Sequence, residues 1–209
     1  MIIMPSYYFV KRLTGFLSTP ERKDWVGLDA GCSAHVGVLA EYGLDAEDIV
    51  HKKFTNPDYP YEKFIHGNIY DMPIEDKTFD YVVSSHVIEH IEWPLDALSE
   101  MIRVAKKMVI ANVPRYTLKQ EEITPCVKLD QYYLGNHPEL WEKYGLKDED
   151  LKWKWSGYFG NFEAPHCAWY PNPSDLVDLF KKTELFEQIK AEVCPDNCGE
   201  SNVFGWLKQ

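Results

Sequence analysis

Phe79-Asp80-Tyr81-Val82-Val83-Ser84-Ser85 is a short apolar run that ends on two hydroxyls, and with the helix and strand after it this run decides the fold. Over 95–105, Leu95, Leu98, Ile102 and Ala105 recur at helical spacing and give that stretch one apolar face. Met108-Val109-Ile110-Ala111-Asn112-Val113 is the next strand, closed by Pro114. Strand, helix and strand of these lengths form a βα unit, and its repetition along a chain implies a parallel sheet with helices on both faces.

Upstream the same alternation is shorter. Tyr8, Phe9, Leu13, Phe16 and Leu17 fall at helical spacing within 6–17, with Lys11 and Arg12 on the other side. Trp25-Val26-Gly27-Leu28-Asp29 reads as a buried strand. A turn from Ala30 to His35 comes next, then a helix from Val36 to Tyr42 ended by Gly43. Asp48 to Phe54 reads as a second strand and Phe64-Ile65-His66 as a third. Downstream, the stretch 115–165 is rich in Tyr, Trp, Lys and Glu with poor periodicity, which suits an insertion or lid. Ser174 then caps a helix running to Thr183, with Leu176, Val177, Leu179 and Phe180 turned inward. Phe186 to Val193 and Asn202 to Leu207 are two last strands joined only by a loop, so as neighbours they pair antiparallel.

Composition bounds the rest. A chain of 209 residues that is 45% hydrophobic is expected to build one domain over 1–209, with 115–165 as its elaboration. Lys+Arg 22 against Asp+Glu 33 leaves a net charge of −11, which repels a phosphate backbone and disfavours nucleic acid as a partner. Cys194 and Cys198 form one close pair among five cysteines, and a structural zinc needs about four ligands. Free thiols are therefore expected, in a reducing compartment. No apolar stretch approaches the ~20 residues of a membrane span. The N-terminus meets Lys11 and Arg12 too soon for a signal peptide. A cytoplasmic protein is expected.

Chemistry concentrates after the strands. Asp29 ends the first strand and Gly31 comes just after it, where a doubly wound sheet places its ligand. Gly31 permits close backbone approach, and Ser33 offers a hydroxyl. Four segments then stand in a telling order: Leu28-Asp29-Ala30-Gly31-Cys32, Gly67-Asn68-Ile69-Tyr70-Asp71-Met72-Pro73, Phe79 through His90, and Ile102-Arg103-Val104. Together, residues 26–33, 64–73, 79–90 and 100–113 resemble the class I S-adenosylmethionine-dependent methyltransferases, in particular their broad small-molecule group. That family has a three-layer, Rossmann-like α/β fold whose mostly parallel sheet carries an antiparallel last strand.

The resemblance implies a site residue by residue. Asp29, Gly31 and Ser33 would line the amino-acid part of S-adenosylmethionine. Asn68 and Ile69 would sit beside adenine, the first at its edge and the second on its face. Ser84, Ser85 and His86 would lie near the sulfonium and its methyl. Three departures accompany this. The second motif glycine is missing from Gly31-Cys32-Ser33-Ala34, and Asn68 stands where an Asp is usual. The acid that accepts the ribose hydroxyls has no clear match: Asp48 comes slightly early, and Lys52 or Lys53 falls near the expected place.

Two histidine sets add to this. His86-Val87-Ile88-Glu89-His90, with a later His, is similar to a Glu-x-x-Glu-His pattern that binds a divalent ion in certain methyltransferases. In other relatives the Glu-His pair only closes the turn, and the predicted site holds no metal. His166 precedes Tyr170-Pro171-Asn172-Pro173-Ser174 and is the candidate general base; a hydrogen bond at the helix entry is its other role. The function implied is methyl transfer to oxygen or nitrogen of a small molecule, saccharide or lipid-like acceptor. The departures motivate an alternative, a non-catalytic module that keeps the fold for binding or assembly.

Overall fold

A computed structural model of the chain describes residues 7–32, 37–46, 60–91, 93–114, 173–193 and 200–209. Its elements are α1 (Tyr7–Leu17), β1 (Gly27–Ala30), β2 (Tyr42–Asp45), β3 (Phe64–His66), β4 (Phe79–Ser85), α2 (Pro94–Val104), β5 (Ala105–Pro114), α3 (Pro173–Lys182), β6 (Phe186–Val193) and β7 (Glu200–Leu207). Met1–Ile88, Trp93–Arg115 and Pro171–Gln209 form one compact unit, and Glu89–Glu92 with Tyr116–Tyr170 a second. The insertion expected over 115–165 lies outside the described residues, as do Cys194 and Cys198.

The seven strands form one sheet in the order β3-β2-β1-β4-β5-β7-β6. β1 pairs parallel with β2 and with β4, β2 with β3, and β4 with β5. β7 runs antiparallel to both β5 and β6. This is the Rossmann-like methyltransferase fold that the sequence implies. Chain order reverses between β1 and β4, and the crevice outside the carboxyl ends of those strands is where such sheets take ligands.

Side chains alternate across a strand, so register assigns the faces. Tyr81 and Val83 of β4, Met108 and Ile110 of β5 and Phe204 of β7 share the face that packs on Phe9 and Leu13 of α1. Gly27 lies opposite Tyr81, where a Cβ would come within 2.0 Å of the ring, so that strand can carry only glycine at this point. α2 and α3 pack on the sheet and on each other. In α2, Ala97, Leu98, Met101 and Ile102 are buried, each of the three larger ones worth about 1.5–3 kcal/mol. The last turn of α2 is also a fastening point. Arg103 donates to Glu100, to Asp76 Oδ1 at 2.8 Å and to the carbonyls of Ile74 and Met72, which anchors the segment leading away from β3.

The second strand differs from expectation. Residues 37–42 are not helical; β2 begins at Tyr42 and ends at Asp45, ahead of the 48–54 stretch, which is outside the described residues. Gly37 has φ +75°, a left-handed conformation that interrupts a helix, and Tyr81 Oη donates to the Leu39 carbonyl at 3.0 Å. The apolar Leu39 and Ala40 are thus used in the core as an irregular segment. Gly43, read as a helix stop, sits inside the strand. At the other end Pro173 opens α3, which puts Ser174 inside its first turn. Pro suits that first position because the N–H it lacks would have no helical acceptor.

Candidate active site at the carboxyl edge of the sheet

The register gathers a polar band on the α1 face of the sheet. Asp29 aligns with Gly43 and Val83, so Asp29, Asp45 and Ser85 all fall on this side. Ser85 aligns with Asn112, and Asn112 with Asn202. Two residues before Asn202, Glu200 shares its face. The strands' inner lengths are therefore apolar, and their ends at this edge are acids, amides and a hydroxyl.

On β1 and β2 the polar groups are carboxyls. Asp29 is 2% exposed, and burial, reinforced by the neighbouring Asp45, pushes its pKa up to about 8. A cation placed there would favour its ionised form. Gly31 has φ +86°, a region that L side chains rarely adopt. Its N–H and that of Cys32 both donate to the Leu44 carbonyl, at 2.7 and 3.1 Å, and tie the turn to β2. A Cβ on Gly31 would meet Val87 Cγ2 at 2.3 Å. The glycine therefore lets the turn after β1 meet the turn after β4. Cys32 is buried, and burial raises its thiol pKa, so it stays a neutral thiol. Ser33 lies outside the described residues.

After β3, Asn68 is exposed and Ile69 buried. Asn68 Oδ1 accepts from Tyr70 N at 3.0 Å, which fixes the side chain and leaves its amide group as the donor. After β4, the Ser84 hydroxyl is fully buried with no hydrogen-bond partner among the described residues. Ser85 Oγ donates to Asn112 Oδ1 at 2.6 Å. His86 has φ +57°, uncommon for any residue but glycine, and its N–H donates to the Asn112 carbonyl at 2.8 Å. Its Nε2 lies 3.0 Å from Glu200 Oε1. Asn112 Nδ2 donates to Asn202 Oδ1 at 2.6 Å and to Glu200 Oε2 at 3.3 Å.

The His86 ring thus turns to Glu200. Ile88–His90 is a single 3-10 turn, and among the described residues no group of three His, Cys, Asp or Glu side chains is placed to hold a metal ion. His166 lies outside the described residues. Sequence reasoning missed Asp45, Asn112, Glu200 and Asn202. The register of strands distant in sequence brings the last three together, and no local pattern marks them. A hollow of about 550 Å³ between α1 and the 37–41 segment is lined by none of the expected site residues.

Residues 28–110 match the family model described as a methyltransferase domain. An uncharacterized protein of Methanocaldococcus jannaschii is 33% identical over 110 residues, which cover 49% of this chain and 47% of that protein. A demethylmenaquinone methyltransferase of Bacillus mycoides is 32% identical over 87 residues, 40% of this chain and 36% of that one. The matches thus span less than half the length of either relative. A crystal structure of a SAM-dependent methyltransferase from Thermotoga maritima superposes with a TM-score of 0.58 at 16% identity, covering 97% of this chain and 90% of that one. Magnesium protoporphyrin IX methyltransferase of Synechocystis, with bound SAH, gives 0.50 at 11% identity, over 100% and 90% of the two chains. The fold is the Rossmann-like fold of the class I methyltransferases, and the matched segment is similar to a methyltransferase domain. The matched residues, 28–110, run from β1 into β5.

Proposed function

We propose that the chain is an S-adenosylmethionine-dependent methyltransferase acting on oxygen or nitrogen of a small acceptor. The observation that carries this is the pair of carboxyls at the ends of β1 and β2, beside the switch point, within the matched segment. A buried Asp29 held largely protonated by its surroundings is costly unless a cation comes to it, and the cofactor brings a sulfonium and an ammonium. Asp45, ending β2, is the acid suited to the ribose hydroxyls. Asn68 would donate its amide to a ring nitrogen of adenine, and Ile69 would pack on the base. The bound cofactor supplies an electrophilic methyl group on sulfur. Ser33, Ser84, Ser85 and His86 would complete the neighbourhood of that methyl, the last two already fixed by Asn112 and Glu200.

Transfer of this kind depends mainly on proximity and in-line orientation, so the protein need add little beyond a shaped, dry site and a proton acceptor. His166 is a candidate for that acceptor from the sequence. The net charge of −11 favours a neutral or cationic metabolite, saccharide or lipid-like acceptor over a nucleic acid. No helix among the described residues is long and apolar enough to cross a membrane, and a cytoplasmic location is part of this reading. The alternative of a non-catalytic module loses one of its motives, because Asp45 supplies an acid after β2.

Calorimetric titration with S-adenosylmethionine and with its demethylated product tests the proposal. Saturable binding of both is expected, weakened by Asp45→Ala. No heat at millimolar ligand would overturn it.

A further inference from the structure

We propose that His86 accepts the proton of the methyl acceptor and that Glu200 is the positioning residue that prepares it, an inference that rests on the methyltransferase reading above. Three neighbouring strands supply the parts. His86 comes directly after β4, Asn112 stands near the end of β5, and Glu200 opens β7, which runs the other way and so begins at this edge. The His86 and Glu200 side chains are 7% and 4% exposed, with Nε2 and Oε1 3.0 Å apart. A carboxylate can only accept, so Nε2 carries the hydrogen and Nδ1 of the neutral ring holds the lone pair. This is the arrangement in which a buried carboxylate selects the tautomer and orientation of a catalytic imidazole.

Asn112 fixes both members. Its carbonyl takes the N–H of His86 at 2.8 Å, its Nδ2 donates to the Glu200 oxygen that does not face the ring, and its Oδ1 takes the Ser85 hydroxyl. The left-handed φ of +57° at His86 is held by the first of these bonds. Uncommon backbone of this kind persists only where its surroundings over-determine it, and it clusters at active sites. His86 also adjoins Val87, the residue that fills the space above Gly31, so it stands beside the turn assigned to the cofactor.

One more group points to the substrate. Asn202 is fully buried and its Oδ1 is bonded to Asn112, yet its Nδ2 has no partner among the described residues. A buried amide donor is almost always satisfied, and an oxygen on the acceptor molecule would satisfy this one. The substrate class that fits is a neutral or cationic small molecule with a nucleophilic hydroxyl or amine and a second oxygen. A carboxylate would meet Glu200, Asp29 and Asp45. In the step itself, one proton passes from the acceptor to His86 Nδ1. The electron pair left on the acceptor forms the bond to the methyl carbon, and the electrons of the broken carbon–sulfur bond stay on sulfur.

Two measurements decide the matter in the full chain. Nitrogen NMR of histidine-labelled protein, saturated with the demethylated cofactor, should show His86 as the Nε2–H tautomer; an Nδ1–H tautomer overturns the proposal. Initial rates of label transfer from methyl-tritiated S-adenosylmethionine to a protein-free small-molecule extract give the second readout. Glu200→Gln should lower that rate about a hundredfold while leaving affinity for the demethylated cofactor within about twofold, and His86→Asn should lower the rate at least as far and by more than it lowers that affinity. Glu200→Asp should recover part of the loss. Unchanged rates in either variant overturn the proposal, and so does a fall in rate matched by an equal fall in cofactor affinity. A wild-type protein that binds the cofactor but labels nothing overturns it as well. Failure of the wild type to bind the cofactor at all sinks instead the reading on which the proposal rests.

Discussion

Along one edge of the sheet, β1 and β2 end in two carboxyl groups that oppose each other's ionisation, whereas β4, β5 and β7 end in amides, a hydroxyl, a histidine and a carboxylate that bond one another. Both regions bury polar atoms. The first leaves electrostatic work to be done by a cation from outside, and the second ties its side chains to one another while leaving the Ser84 hydroxyl and Asn202 Nδ2 without a partner among the described residues. Binding energy for a charged ligand is therefore stored on β1 and β2, and geometric order on β4, β5 and β7. The proposed methyl transfer needs both, because it must hold a cation and aim a nucleophile.

The contrast can be broken most sharply by removing charge from the first region. A carboxyl whose pKa is higher in the folded state binds its proton more tightly there, so stability is greatest at low pH and falls as pH rises from about 4 towards about 8. For Asp29 the fall approaches about 1.4 kcal/mol per pH unit between roughly pH 5 and pH 7. Urea denaturation of the ligand-free protein should show this slope, and Asp29→Asn should abolish it. A wild-type curve that is flat over that window would refute the description of Asp29.

The second region breaks differently. Asn112→Ala removes the shared partner of Ser85, Glu200 and Asn202 and should cost about 2 kcal/mol with no such pH slope. Gly31→Ala joins the two regions, since it strains a positive φ and drives a methyl group into Val87. A loss of about 1.5 kcal/mol, with weaker cofactor binding by calorimetry, is expected. The smallest effect belongs to the exposed end of the band. Arg12, 42% exposed, pairs with Glu192 at 2.6 Å and holds that carboxyl down to about 2. Its contribution is present above the ordinary carboxylate range near pH 4 and lost as pH falls towards 2. Solvent screening keeps Arg12→Ala to about 0.5 kcal/mol at neutral pH, less in high salt.

The same division separates what the sequence discloses from what it hides. β4, α2 and β5 are legible because each is long enough for its periodicity to show, and because α2 carries one clean apolar face. β2 is four residues with a glycine at its centre, preceded by an apolar stretch that helical spacing fits equally well. Only pairing with β1 and β3 makes it a strand. Asp45 is hidden for that reason, because the sequence reads the second strand further along, at 48–54. Asp29, Gly31 and His86 could be singled out because each comes at or just after the end of a recognisable strand. Their partners Glu200, Asn112 and Asn202 could not, since a hydrogen bond across 88 or 90 residues of chain leaves no local trace.

The packing of α1 has a consequence in time. Phe16 of α1 packs at an angle against Phe204 and edge-to-face against Trp206 of β7, with ring centroids 5.9 and 6.2 Å away, and Arg12 reaches Glu192 across 180 residues. The helix is synthesised early, yet the surface it covers is finished only when β7 has left the ribosome. During translation its apolar side must wait in a partly formed protein, and its docking closes the fold. A helix made before β1 is thus seated only after β7.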